Sequence, residues 1–230
     1  MILPKYWLER PPMKRDEEMA LICDHFLQQT FATGENHLIH YTLPVPKWQF
    51  LCHIADHHHI VLHGSGDSNI GRFEPRQPID ITSFGSQHAV YAAADGIWAM
   101  FFAILDRDAY AMSLHNACVR LADHAGTLSN PFYIFSISAH ALEHQPWRQG
   151  TVYLLPRTTF HTQPPVYLGD EEIHIAQLAS VVPVTPFARL TVQPGDFPFL
   201  QQIKGHDDER FQEYATAIQT GSPWPDIPLR

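Results

Sequence analysis

His57-His58-His59-Ile60-Val61-Leu62-His63-Gly64-Ser65 is the stretch on which the fold turns. Ile60-Val61-Leu62 is a short apolar, largely β-branched run that stops near a glycine, the pattern of a buried strand. It delivers His63 to a strand end, at the mouth of a loop. Ala89-Val90-Tyr91-Ala92-Ala93 repeats the design and places Tyr91 on a second strand. Asp95 then stands as the N-cap of a helix running to Leu105. In that helix Ile97, Trp98, Met100, Phe101, Phe102 and Ile104 are apolar nearly all round, which predicts a helix covered on most sides. Two strand-borne polar rings beside a glycine loop predict a small-molecule cleft.

Upstream, Lys47 to Asp56 carries Trp48, Leu51, Cys52 and Ala55 at helical spacing, so a short helix leads into the first strand. Asp16 to Phe31 has Met19, Ile22, Cys23, Phe26 and Leu27 on one helical face and ends at Gly34-Glu35-Asn36. His37 to Leu43 alternates weakly, as a strand would, before Pro44-Val45-Pro46. Residues 1 to 14, with their prolines, read as an arm lying over a surface. Gly64 to Gly71 is a tight glycine loop, and Arg72 to Gln87 continues it irregularly through Pro75 and Pro78. Downstream, strands are predicted at 131–138, 150–155, 179–184 and 187–192, with a helix over 201–219 and a proline-rich tail. Tyr110 to His124 fits neither pattern. Strand and helix do not alternate strictly, so the fold class is α+β.

The chain of 230 residues is long enough for one well-buried domain, and its 45% hydrophobic and 12% aromatic content is that of a globular protein. No apolar run approaches a membrane span. Met1-Ile2-Leu3 is too short, and Pro4 too early, for a secretory signal, so a cytoplasmic location is expected. Cys23, Cys52 and Cys118 are scattered without paired spacing and are expected reduced and buried. A net charge of −9 disfavours nucleic acid as a partner, whereas a single nucleotide needs only local donors.

His63-Gly64-Ser65, followed by Gly85, Tyr91 and an aromatic helix, resembles the ADP-ribosyltransferase superfamily, in the His-Tyr-Glu branch of poly-ADP-ribose polymerases and diphtheria-type toxins. The motifs cover residues 58 to 105, and strand order alone extends the likeness to about residue 195. The resemblance implies a core of two small antiparallel sheets over residues 46–200, with an N-terminal arm and helix over 1–45 and a C-terminal helix and tail over 201–230, all in a single domain. It implies NAD as substrate. His63 would hydrogen-bond a ribose hydroxyl, Gly64 would hold the nicotinamide amide through its backbone, and Tyr91 and Phe102 would flank the ring. His63 and Tyr91 are thereby the candidate catalytic residues, and Ser65 and Arg76 join the candidate binding set. Two positions depart from the family. Ala99 stands where a serine hydroxyl is usual, and the catalytic glutamate is not identifiable: Ser180-Val181-Val182-Pro183 fills the expected strand start, leaving Gln177, Glu171 or Glu172 as substitutes. Loss of that carboxylate removes electrostatic stabilisation of the oxocarbenium-like transition state. The expected function is thus binding of NAD or a related nucleotide, with transfer of ADP-ribose to an unknown acceptor where a carboxylate is supplied.

Other readings stand beside it. A non-catalytic interaction protein would keep the same fold with a dead cleft. A metal-binding protein would use the cluster from His53 to His63: His53 and His57 share a helix face, with His58, His59 and His63 nearby and Asp56 the one carboxylate at ligand spacing. No metal is assigned, because His57 to His59 straddle a helix-to-strand junction and point in different directions. A serine hydrolase is set aside, since Gly64-Ser65-Gly66 lacks the Gly-x-Ser-x-Gly spacing and Asp67, Asp80 and Asp95 have no special spacing to His63. Arg72, Arg76 and Arg107 are candidates to neutralise a pyrophosphate, Arg76 foremost, while Trp147, Arg148 and Arg157 receive no role.

Overall fold

Helix α3 (Gly96–Ile104) lies between two β-sheets, and each of its residues except Phe102 is buried. The computed structural model describes residues 4–13, 17–32, 34, 36–78 and 82–226. Met1-Ile2-Leu3, Asp16, Glu35 and Asp80, which enter the sequence reading, lie outside the described residues. Among the described residues one sheet runs β2 (His37–Leu38), β12 (Ala188–Val192), β7 (Gly150–Pro156), β3 (Ile60–Ser65), β4 (Val90–Ala93), β11 (Gln177–Ser180) and β8 (His161–Thr162). The other runs β1 (Leu8–Glu9), β6 (Phe132–Ser138), β5 (Leu114–Ala122), β10 (Glu171–Ile175) and β9 (Val166–Leu168), with β13 (Lys204–His206) added to β6. Pairing is antiparallel except at β2–β12 and β6–β13, which are parallel. Helices α1 (Glu17–Ala32), α2 (Lys47–His57), α4 (Ala139–Leu142) and α5 (Phe211–Thr220) complete the α+β architecture.

Glycine lets α3 come unusually close to the sheet. A Cβ on Gly64 would stand 1.8 Å from the Ala99 carbonyl oxygen, and one on Gly150 would stand 1.8 Å from that of Ala103. On its other side α3 meets the second sheet, with Phe101 4.7 Å from Phe135 between ring centroids and the Trp98 indole donating to Asn116 Oδ1 at 2.7 Å. An all-round apolar helix is stable here because both faces are dry, at roughly 1.5–3 kcal/mol for each fully buried side chain such as Met100 or Ile97.

The start of α3 is held by a buried polar knot. Asp95 caps the helix, accepting from the Trp98 N–H at 2.8 Å, and also accepts from Arg10 at 2.5 Å and from the Tyr133 hydroxyl at 2.7 Å. Arg10 reaches Asp56 as well, and Asp56 pairs with Arg120 at 3.0 Å. The N-terminal residues therefore do not merely lie over a surface. Tyr6 and Arg10 are buried, and β1 adds to the edge of β6.

Several expected elements are corrected. Leu114–Ala122, which fitted no pattern, is β5, between β6 and β10 in its sheet. Its burial does not alternate: adjacent residues His115 and Asn116 meet Phe211 of α5 and Trp98 of α3, and Cys118 and Val119 are both buried, which blurs the two-residue period. His37 to Leu43 forms a ladder only at His37–Leu38. The strand expected from Ala179 to Val184 begins earlier and ends at Ser180, after which Val181 and Val182 are exposed. The helix expected from Gln201 is instead β13, followed by α5 from Phe211. Lys204–His206 pairs with β6 instead, and Gly205 gives this stretch little helix propensity to oppose it. Strands β8, β9 and β10 were not anticipated.

His206 is fully buried, with its ring nitrogens 2.7 Å from Ser113 Oγ and from Ser136 Oγ. His115 stacks on Phe211 of α5 at 3.8 Å, and its Nε2 has no hydrogen-bond partner among the described residues. Burial pushes both imidazoles down, to about 4. Because the unfolded chain takes up these protons near pH 6.5 and the folded chain does not, stability is present above that value. It should fall between pH 6.5 and about 4, by on the order of 3 kcal/mol for each ring, and urea midpoints across that range check it. Gly150→Ala should lose about 3 kcal/mol by forcing β7 away from α3, seen as a lower urea midpoint at unchanged slope.

Candidate functional site

The two key strands are neighbours, and the cleft opens where they run out. Leu62 on β3 pairs with Ala93 on β4, and Ala93 in turn opposes Gln177 on β11. A cleft of about 630 Å³ opens beside these strands and α3. His63, Gly64, Ser65, Arg76, Tyr91 and Phe102, all expected as site residues, line this one cleft.

Each is placed by a local constraint. The His63 imidazole, half-buried, holds its Nδ1 2.7 Å from the backbone carbonyl oxygen of Tyr91 and packs on Phe73 with ring centroids 4.6 Å apart. A carbonyl only accepts, so Nδ1 carries the proton, and Nε2 is left as an acceptor. Burial lowers the pKa of His63 and the nearby Arg76 guanidinium lowers it further, against the Tyr91 carbonyl, so the ring is neutral at pH 7. The Tyr91 hydroxyl lies 2.8 Å from the Phe84 carbonyl oxygen and 3.0 Å from that of Gln87, to which it donates, so the phenol is steered by the preceding loop. Phe102 is the one residue of α3 that is not buried, which turns its ring to the cleft. Gly64 lines the cleft and has no side chain because α3 leaves no room for one. Ser65 Oγ is 3.1 Å from the backbone N–H of Asp67, from which it accepts in a turn. A nucleophilic role would need a base beside that oxygen.

Gln177, Arg148 and Ala99 are among the lining residues that were not in the expected site. Gln177, named only as a substitute for a missing glutamate, lines the cleft through its place opposite Ala93. Glu171 and Glu172 stand on β10 in the other sheet, so they are removed as substitutes. Arg148, given no role from sequence, lies against Gly66, where a Cβ would meet its guanidinium, and pairs with Asp108 at 2.6 Å. Ala99 lines the cleft through the carbonyl that Gly64 abuts. Only the register of β11 on β4 finds Gln177, and only the turn at Gly66 finds Arg148. Of the arginines considered for pyrophosphate, Arg76 and Arg107 line the cleft, whereas Arg72 pairs with Glu74 at 3.0 Å on the exposed surface. Asp95 is spent in capping α3.

The histidine run divides. His63 belongs to the cleft, whereas His53 and His58 gather on Asp24 of α1, at 2.7 and 2.8 Å. Asp56 is engaged with Arg10 and Arg120 instead. All three cysteines are free and buried, as expected. Among the described residues no helix is long and apolar enough to cross a membrane. No family model, curated protein or solved structure matches the chain.

His63 should titrate below the ordinary histidine value, and Arg76→Gln should move its titration upward by removing a nearby positive charge. NMR of the imidazole nitrogens checks both, with Nδ1 as the protonated nitrogen.

Proposed function

We propose that the cleft binds NAD or a related nucleotide, with the nicotinamide end at His63, Gly64, Tyr91 and Phe102. The observation that carries this reading is the His63 ring, anchored through Nδ1 at the Tyr91 carbonyl, on the same hollow as two aromatic rings and Gly64. A ribose hydroxyl donates a hydrogen bond, and Nε2 of this tautomer is an acceptor. A flat nicotinamide wants planar partners, which Tyr91 and Phe102 supply, and its amide wants backbone donors and acceptors, for which Gly64 on the cleft wall is the candidate. The likeness of His63-Gly64-Ser65 and Tyr91 to ADP-ribosyltransferases supports the same assignment. Arg76 and Arg107 are the cations at hand for a pyrophosphate.

Chemistry at the glycosidic bond is weaker than binding in this reading. Rupture of the nicotinamide–ribose bond develops positive charge on the sugar, and Gln177, the candidate substitute for the family's glutamate that lines the cleft, is neutral. The chain is read as a binder of the intact nucleotide whose release of nicotinamide is slow. The same substitution is what a protein acting through interactions, with a dead cleft, would carry.

NAD should raise the melting temperature of the wild type, and His63→Ala should abolish the rise while leaving the unliganded melting temperature near that of the wild type. Absence of any shift with NAD or ADP-ribose would leave the interaction protein standing. Gln177→Glu should speed nicotinamide release by roughly a hundredfold by restoring the missing charge, read by direct assay of free nicotinamide.

A further inference from the structure

We infer that Asp24, His53 and His58 form a binding site for a divalent first-row transition-metal ion of the zinc class. The inference does not rest on the nucleotide reading. Three elements converge here: Asp24 from α1, His53 from the middle of α2, and His58 from the turn directly after it. Both Nε2 atoms address the same carboxylate oxygen, Asp24 Oδ1, at 2.7 and 2.8 Å, and the three donor atoms all lie within 4.8 Å of one another. His58 is aimed back by the end of the helix, where its backbone N–H still bonds to the Ile54 carbonyl at 3.0 Å while its own dihedrals turn extended.

The donor set selects the ion. Two imidazoles and one carboxylate suit zinc, cobalt, nickel or copper, whereas calcium and magnesium take oxygen-only shells. Bonds of about 2.0–2.1 Å in a tetrahedral site place ligand atoms roughly 3.3 Å apart. The present spacings of 2.7 and 2.8 Å therefore need to open by only about half an ångström, within the rotamer freedom of side chains that are 13, 31 and 36% exposed. A carboxylate oxygen accepts, so each Nε2 carries a proton that it donates to Asp24. On metal binding that proton leaves for solvent while Nδ1 carries one, so the bound ring is neutral and the nitrogen lone pair is freed for the ion. Among the described residues three protein donors converge, which leaves a fourth position for water, and the His57 ring lies nearby with its centroid 4.9 Å from that of His53. An ion here would clamp α1 to α2.

The purified chain, stripped with chelator, should bind one equivalent of zinc in competition with a chromophoric chelator. Cobalt in its place should give the visible d–d bands of a low-coordinate N/O site. Asp24→Asn keeps the size of the residue and an oxygen that accepts from both rings, so the hydrogen-bonded link survives while the charged ligand is lost. Zinc binding should weaken at least roughly tenfold in Asp24→Asn and in the exposed-side variant His58→Gln, and should be unchanged in His59→Gln. His63→Ala should retain zinc affinity, so this site and the nucleotide cleft fail separately. Wild-type affinity in both Asp24→Asn and His58→Gln, or no zinc binding by the wild type, would overturn the inference and leave the cluster as a hydrogen-bonded tie between helices.

Discussion

The structure depends on how near α3 comes to the backbone of β3 and β7. At Gly64 and Gly150 the helix carbonyls occupy the space that a side chain would need. This proximity has two effects. It seals an apolar helix between two sheets, and it excludes a side chain from Gly64, next to His63 at the end of β3. The cleft is what remains where β3 leaves the helix.

The position of α3 along its axis is set at its other end. Asp95 caps the helix and receives a guanidinium and a phenol in a site without water access, so the N-terminal arm is part of the core through Arg10. A buried carboxylate with two charged or polar donors is costly to break, because either partner left alone keeps its desolvation penalty. The same arginine also links Asp56 at the end of α2, so the helix carrying the histidine cluster and the helix lining the cleft share one electrostatic anchor.

Within the proposed nucleotide cleft, recognition and chemistry separate. The Tyr91 carbonyl fixes the tautomer of His63, and burial with Arg76 keeps the ring neutral, which suits it to accept a hydrogen bond and unsuits it to supply charge. Gln177 offers hydrogen bonds without charge. The residues gathered are therefore better matched to holding a polar ligand than to stabilising a cation formed from it.

Local pattern determined the elements around the site. Ile60-Val61-Leu62 read as a buried strand because its apolar run ends at a glycine, and Asp95 with the all-apolar run behind it read as a capped, covered helix; both stand in the structure. The sequence also grouped His63 and Tyr91 as polar rings on two strands, and the resemblance to ADP-ribosyltransferases added Gly64 and Phe102; all four line one cleft. Tertiary structure alone decided what reaches them. Gln177 enters the cleft by antiparallel register across β4, Arg148 by a turn, and Asp24 meets His53 and His58 through the packing of α1 on α2, all contacts between residues far apart in the chain. Leu114–Ala122 shows the same limit: its burial does not alternate, and its partners in the sheet, not its own residues, make it a strand.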